Sequence, residues 1–361
     1  MTREFPGFLD VHVHFRDPGV PEAETRRSGS EAAKRGGFAA VVTMPNTAPA
    51  GDNVPYLHEQ IEDAMLPIRI FPAACMTRGR MGKEAADLEK LADAGAAFFT
   101  DDGSYVADDH VMEEVMQRAA DLNRAVCQHA MDPKVQGGGV IRDCELARRF
   151  HLPIIPVEAE TTAIKRDLAL CRVTGCRLHI QHISTAPGVE LVRMAQREGL
   201  PVTAEATPHH LLLSCDDLVA DDAAFKMAPP LGTNEDRDEL RKAVKEGVLM
   251  FATDHAPHPE EKKRGGFAAA ANGIIGLETA IPITYTVMVE GEGMSVEDWA
   301  KAWTEMPAAL LPRRDQEILK KLPPTRIEIG EKCRVDVNAF ASRSRNCPYD
   351  GMEFDCWPIV K

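Results

Sequence analysis

Phe8-Leu9-Asp10-Val11-His12-Val13-His14-Phe15-Arg16 is the stretch that decides how this chain is read. Its β-branched and aromatic residues suit a strand. Alternate side chains of a strand share a face, so His12, His14 and Arg16 project side by side. Two imidazoles held this way can grip one divalent cation, and the arginine beyond can hold an anion. Taken alone, a His-x-His pair is more often two hydrogen-bonded core residues than a ligand pair. Its weight comes from matching residues at the ends of later strands.

Working outward, short apolar runs alternate with longer stretches of helical spacing. The expected strands are Phe8–His14, Phe38–Met44, Ile68–Cys75, Ala96–Thr100, Ala125–His129, Leu178–His182, Pro201–Ala206 and Val248–Asp254. Several are continuously apolar, as strands covered on both faces are. Helices are expected over Glu24–Arg35, Val54–Ala64, Lys83–Ala94, Asp109–Asn123, Thr161–Thr174, Pro187–Glu198 and Asn234–Glu246. Eight strands with helices between them predict a (β/α)8 barrel of the TIM type. A doubly wound open sheet is the competing architecture, but it would gather the polar residues at one switch point. Here they follow many different strands. Gly276–Glu290 and Ser295–Glu305 read as closing helices, and Leu322-Pro323-Pro324 as a boundary. The expected organisation is therefore a barrel over 1–322 and a β-rich tail over 323–361. Ile327, Ile329, Val335 and Val337 alternate in that tail, which is expected to pack on the outside of the barrel.

Active sites of such barrels lie at the C-terminal ends of the strands. His12, His14 and Arg16 end the first, and Asn46 follows the second. Asp101 and Asp102 end the fourth, His129 the fifth and His182 the sixth. Asp254 ends the eighth, with His255 and His258 beyond it. A lone histidine at a strand end is usually a hydrogen-bonded core residue, and a lone aspartate usually caps the next helix. Gathered on one rim without a cation, they would form a poorly compensated polar cluster. Nitrogen and oxygen ligands suit zinc or a similar ion, and six are enough for two ions with a carboxylate between them. A catalytic zinc lowers the pKa of its bound water toward neutrality. Asp254 can then take a proton and pass it to a leaving nitrogen. Arg16, Asn46 and His258 read as anion binders, although each could also serve a salt bridge, a turn or the orientation of a ligand. His209 and His210 are expected to be structural or to support ligands. His179 has the opposite parity to His182 and is expected to face a helix. His58, His110 and His151 read as surface residues.

The 361 residues are 44% hydrophobic and 27% charged, and the formal net charge is −14. An acidic chain of this kind argues against nucleic-acid binding, which relies on basic residues. Nine scattered cysteines, with no Cys-x-x-Cys, read as reduced thiols of a cytoplasmic protein. No apolar run approaches a membrane span, and the first residues lack the apolar core of a signal peptide.

The motifs Asp-Val-His-Val-His-Phe-Arg-Asp-Pro-Gly, Met-Pro-Asn-Thr, Phe-Thr-Asp-Asp-Gly, His-Ile-Ser-Thr, Thr-Pro-His-His-Leu and Ala-Thr-Asp-His-Ala-Pro-His follow in order. Together they resemble the dihydroorotases, class I, of the amidohydrolase superfamily. The resemblance implies reversible cyclisation of N-carbamoyl-L-aspartate to L-dihydroorotate in pyrimidine biosynthesis. It implies that His12, His14 and Asp254 bind one zinc and His129 and His182 a second. Asp102 would be a bridging carboxylate or a direct ligand of one ion, with Asp101 as runner-up. Arg16, Asn46 and His258 would hold the substrate carboxylate, and the backbone of Asn272-Gly273 would meet the ring. The implied partners are a small-molecule substrate, a second copy in a homodimer and, in some homologues, aspartate transcarbamoylase. Related hydantoinases and allantoinases carry a bridging lysine, but no lysine occurs between Lys90 and Lys134. Two readings compete with a dihydroorotase: a cyclic amidohydrolase acting on a hydantoin, dihydropyrimidine or allantoin, and a non-catalytic homologue that scaffolds aspartate transcarbamoylase. Two departures stand out. Ala228 and Gly232 lie where many members have Asn and Arg, and only eleven residues precede His12. An accessory β-sandwich is therefore expected to be reduced to the tail or missing.

Overall fold

A short strand, β1 (Thr2–Phe5), precedes seven barrel strands. These are β2 (Phe8–Val13), β3 (Phe38–Thr43), β4 (Arg69–Pro72), β5 (Ala125–Gln128), β6 (Arg177–Ile180), β7 (Val202–Ala206) and β8 (Leu249–Phe251). The structure is a computed structural model describing residues 1–61 and 65–359. β2-β3-β4 and β5-β6-β7-β8 form two parallel arcs. The expected fourth strand, Ala96–Thr100, is not regular, yet it holds its place in the barrel. Phe99 bridges Ala74 on one side and Val126 on the other. Ala97 and Phe98 both join the inner apolar cluster, which a two-residue alternation forbids. Val13 bridges His255 and closes the ring.

The barrel interior is filled by Leu9, Val11, Ala40, Val42, Phe71, Phe98, Cys127, Met250 and Ala252. Phe8, Val13, Phe38, Val41 and Leu178 instead pack outward, in one cluster with helix residues such as Ala32, Leu57 and Ile164. β2 changes parity through an irregularity between Asp10 and Val13. Leu9 and Val11 thus plug the barrel, while His12 and His14 turn into its mouth.

The helices begin where short polar side chains can cap them. Thr25 caps Arg26–Arg35, Asp108 caps Asp109–Asp121, Thr185 caps Ala186–Arg197 and Thr233 caps Asn234–Lys245. The helix expected over Val54–Ala64 is seen as Val54–Ile61, and its last three positions lie outside the described residues. The closing helix Val296–Ala302 buries Trp299, and Trp303 follows it. Both indoles donate to Thr284 Oγ1. No helix among the described residues is long and apolar enough to cross a membrane.

The C-terminal segment does two things. Its strand β9 (Thr325–Glu328) pairs antiparallel with β1 and with the last short strand, Trp357–Pro358. Between them, residues 341–346 leave the outside of the barrel and reach its rim, where Ser342 Oγ donates to Glu24.

Candidate active site

The ends of β2, β5, β6 and β8 and the irregular fourth segment point into one buried cup. His12 and His14 have opposite duties for their two ring nitrogens. His12 Nδ1 lies 2.5 Å from Glu205 Oε1, and His14 Nδ1 lies 2.8 Å from Asn46 Oδ1. Both partners only accept, so each Nδ1 carries the proton and each Nε2 lone pair faces the cup. There His12 Nε2 lies 3.4 Å from oxygens of both Asp102 and Asp254. His14 Nε2 lies 3.0 Å from Asp254 Oδ1 and 3.3 Å from Asp102 Oδ2. On the far side His129 Nδ1 and His182 Nε2 face each other at 3.0 Å, and His182 Nε2 is 3.4 Å from Asp102 Oδ1.

Asp102 therefore belongs to two potential ligand groups, one with His12 and His14 and one with His129 and His182. His12 Nε2 and Asp102 Oδ1 are buried without a hydrogen-bond partner. Bare lone pairs crowding carboxylate oxygens at these distances need a cation among them. The donor set thus fits divalent metal ions. Burial works against ionisation of Asp102 and Asp254. Protonated histidines, His12 first, outweigh it and hold both carboxyls below their usual range; a metal ion among the ligands would take the place of those protons. Burial, aided by His182, lowers His129 to about 4, keeping its ring neutral and able to ligate.

Asp101 turns the other way. It accepts from Met76 N, Thr77 N and Thr77 Oγ1, fastening the preceding loop. Arg80 secures the Asp102 peptide by donating to its carbonyl at 2.5 Å.

Backbone torsion places several of these groups. Arg16, His182 and Asp254 have φ of 56°, 33° and 49°. Left-handed backbone costs a non-glycine residue about 1–3 kcal/mol and clusters at functional sites. It also corrects the expectation for His179. β6 ends at Ile180, and the left-handed turn at His182 breaks the parity on which that expectation rested. His179 faces into the barrel, with Nε2 2.8 Å from Glu205 Oε2 and Nδ1 2.8 Å from Thr203 Oγ1.

Glu205 is the residue that motif reading misses. It receives His12, His179 and the His182 N–H. Burial opposes its charge, but His12 and His179 bring it down to about 2. A glutamate inside Val202-Thr203-Ala204-Glu205-Ala206 was the available signal, because a buried strand keeps a charge only with partners. Asp10, also missed, accepts from Thr253 N, Thr253 Oγ1 and His12 N, tying the ends of β2 and β8 together.

Of the proposed anion binders, Arg16 lies beside the cup with Nε 3.3 Å from Pro257 O. Its neighbours by charge are Asp254, Asp102 and Arg80. Asn46 supports His14 directly. The His258 ring donates from Nε2 to Asn272 O at 2.7 Å. Burial and then Arg16 lower His258 to about 4. Gly273 adopts φ +127°, and a Cβ there would lie 2.7 Å from Ala256 Cβ, so the close approach of the two loops requires glycine. His209 and His210 are both buried. His210 Nδ1 meets Thr207 Oγ1, while His209 Nε2 has no partner. His58, His110 and His151 are exposed, as expected.

Residues 4–187 match the Dihydro-orotase-like family model. A dihydroorotase of Geobacillus sp. is 41% identical over 98% of this chain and 84% of its own length. One of Bacillus licheniformis shows the same identity and coverage. The chain belongs to the dihydroorotase family. Among solved structures, the L-hydantoinase of Arthrobacter aurescens is similar with a TM-score of 0.85, at 26% identity over 98% of this chain and 82% of that one. A dihydroorotase from Saccharomyces cerevisiae, crystallised with 5-fluoroorotic acid, has a TM-score of 0.80 at 15% identity, covering 100% of this chain and 99% of that one. At that identity the likeness is one of fold. The two families thus share the amidohydrolase barrel, with the sequence kinship on the dihydroorotase side.

Proposed function

We propose that this site interconverts N-carbamoyl-L-aspartate and L-dihydroorotate as a metal-dependent cyclic amidohydrolase. The observation that carries the reading is the pair of histidine groups sharing Asp102, with Asp254 against one of them. His12, His14 and Asp254 would hold one ion and His129 and His182 the other, with Asp102 common to both. The imidazole and carboxylate set suits zinc. Bound zinc lowers the pKa of water at its open position and polarises a carbonyl.

The chain's own groups do the rest. As water adds to the ring amide carbon Asp254 takes its proton, and as the C–N bond breaks it delivers that proton to the departing nitrogen; in ring closure it takes the proton of the attacking ureido nitrogen and gives it to the hydroxide that leaves the carboxyl carbon as water. Asp254 is ionised in the cup, and so has a carboxylate oxygen free of a proton. Glu205 and Asn46 fix the tautomers of His12 and His14. Arg16 offers a planar fork to the substrate carboxylate, with His258 and the Asn272-Gly273 backbone on the other side of the pocket.

Hydantoinase chemistry is the second reading, favoured by the fold neighbours. Against it stand the higher identity to dihydroorotases, the place of Asp102 between the two histidine pairs and the cation at Arg16. Hydrolysis of L-dihydroorotate, hydantoin and allantoin side by side, with elemental analysis of the same sample, tests the proposal. L-Dihydroorotate should be preferred, with zinc present. Preference for hydantoin, or turnover by metal-free protein, would overturn it.

A further inference from the structure

Tail residues Ser342–Asn346 take hold of the loops that carry His258 and Gly273. Asn346 is only 7% exposed, and its amide is fully engaged. Nδ2 donates to Ala256 O at 2.9 Å and to Gly273 O at 3.0 Å, and Oδ1 accepts from His258 N at 3.3 Å. The Asn346 carbonyl accepts from Ile275 N at 3.0 Å. Two residues earlier, the single Ser344 Oγ proton is shared between Ala23 O at 2.8 Å and His258 O at 3.0 Å. The His258 backbone thus meets tail side chains on both sides, its N–H on Asn346 Oδ1 and its C=O on the shared Ser344 hydroxyl. Gly273 O is shared between Asn346 Nδ2 and Lys263 Nζ.

A planar amide is suited to this junction because it offers two donors and an acceptor without charge. An aspartate would turn a carboxylate oxygen toward two carbonyls. The junction has no slack, since a Cβ on Gly273 would also lie 3.1 Å from His258 Nε2.

We propose that Asn346 is a positioning residue for substrate recognition. It sets the spacing between His258 and the Asn272-Gly273 backbone, and so shapes the carboxylate end of the pocket without touching substrate. This rests on the substrate roles given above to His258 and Gly273. No hydrogen bond of the Asn346 side chain runs to the metal-binding groups, so the tail should govern binding of substrate and leave loading of metal alone.

The test is Asn346→Asp, assayed with L-dihydroorotate alongside metal content and thermal melting. KM should rise about tenfold, the worth of one or two lost hydrogen bonds. Metal content should be unchanged and kcat within about threefold. An unmoved KM, or a fall in metal content and kcat at constant KM, overturns the proposal. If the variant does not fold, hydrogen exchange on the parent enzyme decides. Saturating L-dihydroorotate should protect residues 256–273 and 342–346 together, and protection of 256–273 alone overturns the proposal. A parent enzyme that neither turns over nor binds L-dihydroorotate fails the functional reading; one that turns it over, with an indifferent Asn346→Asp variant, fails this inference alone.

Discussion

The histidine and carboxylate cluster stands on strand ends, whereas the opposite side of the pocket, residues 256–273, is held by side chains from distant parts of the chain. In the cluster, His12, His14 and His129 follow parallel ladders, Asp102 follows the bridged fourth segment, and left-handed turns set His182 and Asp254. In the loop, Asn346, Ser344 and Lys226 hold backbone groups over sequence gaps as large as ninety residues, and Lys263 adds a tie from within the loop itself. The contrast teaches that a barrel can fix its chemistry in the strands while leaving recognition to loops that need outside support. A change in one half should then register in a different observable from a change in the other.

The largest expected effect is at Asp254. Asp254→Asn keeps a similar shape and an oxygen ligand but removes the proton acceptor, so kcat should fall on the order of 10³- to 10⁴-fold. Metal analysis of the variant checks that much of the ion remains; turnover near the parent rate would remove Asp254 from the proton-transfer role. Glu205→Gln comes next. It places an amide where His12 Nδ1 requires an acceptor, and metal affinity should weaken by about 10- to 100-fold, read by competition with a chelator. On the recognition side, Arg16→Ala should raise KM for L-dihydroorotate about 10- to 100-fold. Its metal content should match the parent; loss of metal instead would dissolve the division between the halves.

The last expected effect is one of pH and is read in stability rather than in turnover. Burial, and then Lys226, lower Lys263 from 10.5 to about 7. Between those values the unfolded chain binds more protons than the folded one, so this group's contribution to stability rises with pH. The burden is fully present below about pH 7 and relieved toward about pH 10. Relative to Lys263→Met, the parent should therefore gain stability between those limits, measured as the difference in urea midpoints. A flat difference would mean that Lys263 titrates normally in the fold.

Much of this is legible in the sequence. His12, His14, His129, His182 and Asp254 stand out because each lies in a short motif at a strand end, where local periodicity dictates direction. The barrel is legible for the same reason, except that alternation cannot describe Ala97 and Phe98, which pack on the same side. Asp101 and Asp102 are inseparable by motif, since the choice depends on which carboxylate the Met76-Thr77 backbone captures. The parity argument misplaces His179 because it assumes that β6 runs straight through His182. Glu205 carries a usable signal, a charge within a buried strand. Asn346 carries none, because its partners are backbone groups, whose identity no side chain announces.

By itself, then, the sequence determined the alternating strands and helices, the apolar filling of the barrel and the nature of the ligand atoms at its mouth. These follow from side-chain chemistry and from repeats of two and about four residues, which act over a few positions. Only the tertiary structure decided that Asp102 faces both histidine pairs, that Glu205 serves His12 and His179 together, and that the tail clasps His258. Those relations join residues tens to hundreds of positions apart, and hydrogen bonds of that kind exist only once closure of the barrel brings their partners within reach.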